Sequence, residues 1–268
     1  NTAALASLAN PLETHEPLDG NGRPYQCVSF TAEEQAYNDS TGAPDDRIAI
    51  WPASAINYDG QGLIFSYKLH VKPGFLNYEF LGVALALVKP DQTQAIRLPG
   101  LLFTYPEPDF VSAQIYQGMV YILGGNHSAN NANVMARAPL YQATDRQAYT
   151  FWDGQAWTRD VSRARPIFTQ IPGSISVSYN SYLGQFLATS SQPLSPNVLM
   201  RTAPSITGPW SKPVVVFSGQ PSSSGGIDYA GIEHPELAKN KGRTVYVSYF
   251  QTTGFLAGNL RLVEVSFA

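Results

Sequence analysis

Four stretches of the chain share one pattern: an apolar run, a short turn of Gly, Asn or Asp, and a second run centred on an aromatic. They are IAIWPASAINYDGQGLIFSYKL (48–69), DFVSAQIYQGMVYILGG (109–125), SISVSYNSYLGQFLATSS (174–191) and YAGIEHPELAKNKGRTVYVSYF (229–250). The marker aromatics Phe65, Tyr121, Phe186 and Tyr246 follow one another at intervals of 56, 65 and 60 residues. Each pair precedes a third strand-like run, at 80–88, 133–140, 197–205 and 259–267. After three of these comes a fourth apolar or aromatic segment, at 95–103, 148–157 and 209–217. Short strands recurring in fours, at a period of about 60 residues, predict the blades of an all-β propeller. Alternation of small and aromatic residues suits strands buried between neighbouring blades.

The ends extend the count. The last repeat stops after its third run, while NTAALASL (1–8) resembles a third strand and PYQCVSF (24–30) a fourth. The simplest accounting is one propeller domain over 1–268 with five blades, the first lacking its two inner strands. On this reading the chain is an N-terminally shortened piece of a longer polypeptide. A peptide completing the first blade is then an expected partner. Pro221 to Gly226 reads as a mobile loop between blades.

Composition narrows the function. Charged residues make up 14% of the chain, about half the usual roughly 25%, while 15 Tyr, 13 Phe, 22 Gly and 20 Pro take their place. Seventeen Lys and Arg against 20 Asp and Glu leave a net charge of −3, without the basic surplus of a nucleic-acid binder. No apolar run is long enough to span a membrane as a helix. Low charge and high Tyr content suit an extracellular or cell-envelope protein. The single cysteine, Cys27, excludes an internal disulfide and any CxxC metal site, and reads as a buried structural thiol. No GxSxG, GxxxxGK or GxGxxG is present, so serine-hydrolase, P-loop and Rossmann readings have no support. The four histidines lack zinc-ligand spacing, and no metal or cofactor is expected. A structural calcium at Pro44-Asp45-Asp46 is weighed against ordinary turn-forming Asp, the commoner role. Two sequons, Asn38-Asp39-Ser40 and Asn126-His127-Ser128, would matter only in a secreting eukaryote.

The runs SVSYNSYLGQFLATSS (176–191), RTAPSITGPWSKP (201–213), YAGIEHPEL (229–237) and TVYVSYF (244–250) resemble the family catalogued as domain of unknown function 4185. The earlier VYILGG, NVMARAPL and FWDGQAW fit the same pattern. The resemblance implies a five-bladed propeller related to glycoside hydrolases of families 32, 43, 62 and 68, with furanose-containing, arabinan-like polysaccharide as substrate. It also implies acids on inner strands and an essential one near a Gly-Asp-Thr turn in the first blade. This sequence contains no Gly-Asp-Thr.

Glycoside hydrolysis needs two carboxyls across the bond, one acid with raised pKa and one base or nucleophile. The candidates are Glu233, Asp109 and Glu34, the last in TAEEQAYND (31–39), which leads into the next blade. Glu233 stands out because an acid inside an apolar, Tyr-rich strand is costly when unpaired. His234, held extended before Pro235, is open to three roles: orienting Glu233, binding a sugar hydroxyl, or donating to a carbonyl in the core. Trp51, Tyr58, Tyr116, Tyr179 and Tyr229 are candidates for stacking on a sugar ring, against the commoner role of filling space between blades. The repeated Arg137 and Arg201 suggest a blade-to-blade ion pair. A non-catalytic propeller that binds glycan or acts as a surface scaffold is the rival reading.

Overall fold

The computed structural model describes residues 1–74, 77–127, 132–168, 174–193, 195–220, 228–254 and 257–268. One helix, α1 (Ala32–Thr41), precedes the strands. Sheet one holds β1 (Arg47–Tyr58), β2 (Gln61–Val71), β3 (Tyr78–Val88), β4 (Ile96–Arg97) and β5 (Phe103–Thr104). Sheet two holds β6 (Ser112–Tyr116), β7 (Met119–Gly125), β8 (Asn133–Pro139), β9 (Thr150–Trp152) and β10 (Trp157–Thr158). Sheet three runs in order through β11 (Ile175–Asn180), β12 (Gln185–Ser191), β13 (Asn197–Ala203) and β14 (Val214–Ser218). Sheet four holds β15 (Tyr229–Glu233), β16 (Thr244–Gly254) and β17 (Ala257–Ser266). These antiparallel meanders are blades of a β-propeller, and the four paired runs and their third strands fall where the sequence pattern placed them.

The fourth segments are weaker than the pattern predicts. The run 95–103 is broken at Pro99-Gly100, where Gly100 takes φ +73° and leaves only two-residue pairings with β3. The run 148–157 folds into β9 and β10 around Asp153, whose Oδ1 accepts the amide N–H of Gln155 and Ala156 and closes the turn. Pro221–Gly226 lies outside the described residues.

The expected strands of a first, fifth blade do not form. Residues 1–30 contribute only isolated bridges, Leu5 with His15, Leu18 with Pro24 and Val28 with Ala95. Pro11, Pro17 and Pro24 interrupt this stretch with positions that have no N–H to donate. Asn1 instead pins it from the side, accepting the Val28 N–H at 2.9 Å and donating to Ile50 O at 2.9 Å.

The contacts divide the chain into two compact units, Asn1–Ile122 with Arg137–Tyr149, and Leu123–Ala136 with Thr150–Ala268. In the first, Cys27, Val28, Ile50, Ile64, Ala86 and Ala95 form one apolar cluster. Burial pushes the Cys27 thiol up. Phe103 packs at 4.8 Å from Phe110 and 5.2 Å from Tyr149, with the Arg146 guanidinium over its ring. Helix α1 was not anticipated. Its turn is closed by a capping box, in which Thr31 Oγ1 accepts the Glu34 N–H and Glu34 Oε2 accepts the Thr31 N–H. Asn38, within the first sequon, exchanges two hydrogen bonds with the Ile48 backbone and docks the helix on β1.

In the second unit, Leu187, Val198, Met200, Val245 and Val247 make the core. Arg201 stacks its guanidinium over Phe168 at 5.5 Å, and among the described residues it does not enter the expected ion pair.

Candidate functional site

The second unit gathers a polar cluster on the first strands of its two complete sheets. β15 carries a bulge between Tyr229 and Ile232, with Ala230 at φ +58°, which offsets the ladder to β16. The N–H of Gly231 donates to Ser191 Oγ at 2.7 Å. A Cβ on residue 231 would lie 2.9 Å from that oxygen, so the contact requires glycine. Two residues on, the N–H of Glu233 donates to Ser176 Oγ at 2.8 Å. Ser178 Oγ then donates to Glu233 Oε2 at 2.8 Å. Glu233 is 4% exposed. Burial pushes its carboxyl up to about 7, with the Ser178 hydroxyl and His234 opposing and the nearby Glu236 charge adding. At neutral pH this carboxyl is therefore available in both protonation states.

His234 follows at the start of a 3₁₀ turn over Pro235–Leu237. Its N–H donates to Tyr246 O at 2.8 Å, its Nε2 lies 2.7 Å from Ser248 Oγ, and its Nδ1 lies 2.9 Å from Glu236 Oε1. Burial works against charge on Glu236, but the hydrogen bond to His234 holds its carboxyl below the ordinary value. The order carboxylate, imidazole, hydroxyl has the connectivity of a hydrolytic triad. Ser248, however, is 7% exposed and sits mid-ladder in β16, paired with Ile232 on one side and Leu262 on the other. A hydroxyl held there anchors the imidazole; a nucleophile needs an approach path and free N–H donors around it.

Tyr179 follows Ser178 and so leaves the other face of β11. It is 44% exposed and meets Phe186 edge-on at 5.3 Å. Tyr229 opens β15, 51% exposed, with its ring 5.0 Å from that of Phe250. The structure thus brings Glu233, His234, Tyr179 and Tyr229 onto adjacent strands of one unit. Asp228, just before β15, is also buried, and burial pushes its carboxyl up against an opposing Thr252 backbone N–H.

The remaining candidates lie in the first unit. Asp109, half-buried before β6, adds its charge to burial in raising the Tyr67 phenol well above its usual range. Tyr116 ends β6 and is half-buried. Tyr58 donates its hydroxyl to Tyr141 O at 3.3 Å. Trp51 is exposed, meets Tyr78 edge-on at 5.4 Å, and borders a groove of about 280 Å³ with Arg47, Gln26 and Phe30. Glu34 is 3% exposed, with Lys68 Nζ at 2.8 Å and Arg97 at 3.2 Å. Burial raises its carboxyl, but Lys68, the Thr31 N–H and Arg97 outweigh that and hold it below the ordinary value. Asp46, read as a turn or calcium residue, accepts from Tyr37 at 3.0 Å and lies 2.8 Å from His70 Nε2. Among the described residues no group of three or more His, Cys, Asp or Glu side chains is arranged to hold a metal ion. Among the described residues no helix is long and apolar enough to cross a membrane.

Sequence reasoning missed Ser176, Ser178, Ser248 and Glu236. The spacing of Ser176 and Ser178 places both on one face of β11, but does not say which strand that face meets.

Several solved structures are similar in fold. A Bacteroides ovatus protein assigned as a hydrolase matches with TM-score 0.61 and 16% identity, over 85% of this chain and 60% of that one. An α-L-arabinofuranosidase from Clostridium thermocellum ATCC 27405 matches with TM-score 0.52 and 14% identity, over 81% of this chain and 68% of that one. An exo-β-1,3-galactanase from Phanerochaete chrysosporium, solved with β-1,3-galactotriose, matches with TM-score 0.53 and 13% identity, over 89% and 49%. The chain spans 60% of the length of the first of these. No curated protein sequence matches. The sequence pattern of one family fits residues 102–255, more than half of the chain, and with the propeller blades around Glu233 it gives the assignment: the chain belongs to the family described as Domain of unknown function (DUF4185).

Proposed function

We propose that this chain is a glycoside hydrolase acting on furanose-containing, arabinan-like polysaccharide outside the cell or at its envelope, with Glu233 as general acid. One observation carries the reading: a buried carboxyl, raised to about 7, on the first strand of a propeller blade. Such a group is partly protonated at neutral pH and can deliver that proton to a leaving glycosidic oxygen. The fold likeness to an arabinofuranosidase and a galactanase supports a carbohydrate substrate. Tyr229 offers an exposed ring for a sugar face, and His234, with both ring nitrogens engaged by Ser248 and Glu236, holds the chain next to Glu233. Asp109 and Glu34 are the other carboxyl candidates, and both belong to the first unit. The Glu34 oxygens accept from Thr31, Lys68 and Arg97. This chemistry uses carboxyls and water.

The test is reducing-end release from arabinan and galactan by wild type and Glu233→Gln. Turnover is expected to fall by about 10²–10⁴-fold with the fold intact, and equal turnover removes Glu233 from the mechanism. The exposed Tyr179 and Tyr229 also suit a glycan-binding propeller without catalysis. That reading takes over if the wild type retains polysaccharide on an affinity gel and releases nothing from it.

A further inference from the structure

The serines that meet β15 have a counterpart in the first unit, and the difference between the two places is informative. On β1, Ser54 Oγ accepts the Ala113 N–H of β6 at 2.9 Å and donates to Val111 O. On β11, Ser176 Oγ accepts the Glu233 N–H of β15 at 2.8 Å. A serine on the first strand of one blade thus holds the backbone of the first strand of the next. This is a packing device, and it occurs whether the residue held is Ala113 or Glu233. Two residues beyond each serine the pattern departs. After Ser54 comes Ile56, buried, opposite a strand with no acid at the matching position. After Ser176 comes Ser178, whose hydroxyl reaches the Glu233 carboxyl. Blade packing accommodates an isoleucine there, so the second serine answers to the acid.

We propose that Ser178 is a positioning residue for Glu233, engaging Oε2 so that Oε1 is the oxygen that carries the transferable proton. The inference rests on Glu233 acting as the general acid. With the carboxylate ionised, Ser178 must donate, because the carboxylate has no proton to give. When the carboxyl is neutral, keeping that bond leaves Oε1 as the site of the proton. The Ser176 contact fixes the Glu233 backbone at the same time, so main chain and side chain are held from one face of β11. Loss of the proton from Oε1 to a leaving oxygen then creates the charge that the Ser178 hydroxyl already faces, and Oε1 is re-protonated from water.

The experiment compares wild type with Ser178→Ala, Ser178→Thr and Ser176→Ala. The Glu233 carboxyl is titrated by infrared difference spectroscopy on ¹³C-glutamate-labelled protein, using Glu233→Gln to identify its band. Ser178→Ala removes a hydrogen bond that favours the charged form, so it should move the midpoint up by roughly one pH unit or more. Ser178→Thr should restore it, and Ser176→Ala should leave it in place while lowering the thermal midpoint. The alkaline limb of kcat/KM on arabinan should move with the carboxyl midpoint. A midpoint that stays put in folded Ser178→Ala overturns the assignment, whatever the activity. A midpoint that moves, in a protein whose Glu233→Gln turnover equals wild type, supports the contact and sinks the general-acid reading instead.

Discussion

Replacing Glu233 by glutamine keeps the side-chain shape and removes the titration, and this makes its effect on stability depend on pH in a calculable way. In the folded chain the carboxyl is raised from the ordinary 4.5 to about 7, chiefly by burial. A raised pKa means that the folded state binds the proton more tightly than the unfolded state. The associated stability is therefore fully present below about pH 4.5 and is lost as pH rises through 7. At 1.36 kcal/mol per pH unit, the difference between 4.5 and about 7 corresponds to roughly 3 kcal/mol. Wild type should lose about that much between pH 4 and pH 8 from this one group, whereas Glu233→Gln should not. The two proteins should melt close together at pH 4, and the variant should melt higher at pH 8. At about 2–4 °C per kcal/mol for a chain of this size, the gap should open to on the order of 6–12 °C. Thermal melts in a series of buffers from pH 4 to 9 measure it without any substrate. Parallel curves, with a gap independent of pH, would show that Glu233 titrates as an ordinary carboxyl and that its burial is wrongly described.

Glu34→Ala removes the partner of Lys68 and Arg97 and half of the Thr31 capping box, leaving a largely buried guanidinium uncompensated. A cost of about 3–5 kcal/mol is expected, together with faster proteolytic cleavage near α1. Because the Glu34 carboxyl is held below its ordinary value, wild type should lose this contribution as pH falls through the acid range, a loss the variant lacks. Gly82→Ala would place a Cβ 2.4 Å from Phe103 O, a backbone atom that cannot step aside. It should destabilise by roughly 1–3 kcal/mol or more, read by urea unfolding, and an unchanged midpoint would mean that β3 and β5 are farther apart than described.

The blades were legible because their signal is repeated. Phe65, Tyr121 and Phe186, the aromatics that marked the period, are all buried on second strands. Recurrence at about 60 residues survives errors in any single strand. The N-terminal segment had no such support: NTAALASL resembles NVMARAPL in composition, but its neighbours carry prolines and no paired strand. Helix α1 escaped because AEEQAYNDST has no apolar stripe; its warrant is the local Thr31–Glu34 cap. At the site, Glu233 was legible as a charge misplaced among apolar residues. Ser178 and Ser176 were not, because a serine in a strand carries no sign of which neighbouring strand it will meet. That information is tertiary. It emerges only when β11 and β15 lie side by side.

Ser54, Ser176 and Ser191 have a consequence for how the protein behaves at high concentration. The first strand of a blade has a ladder partner on one side only, so its other edge presents N–H groups that a foreign strand could use as a template. On β6 and β15 the N–H groups of Ala113, Gly231 and Glu233 are already taken by hydroxyls. A hydroxyl satisfies the donor but cannot extend into a ladder, so each contact ends the sheet where it stands. These side chains act as stoppers against strand addition, and solutions of the folded chain should resist fibril growth from these edges for as long as the serines remain in place.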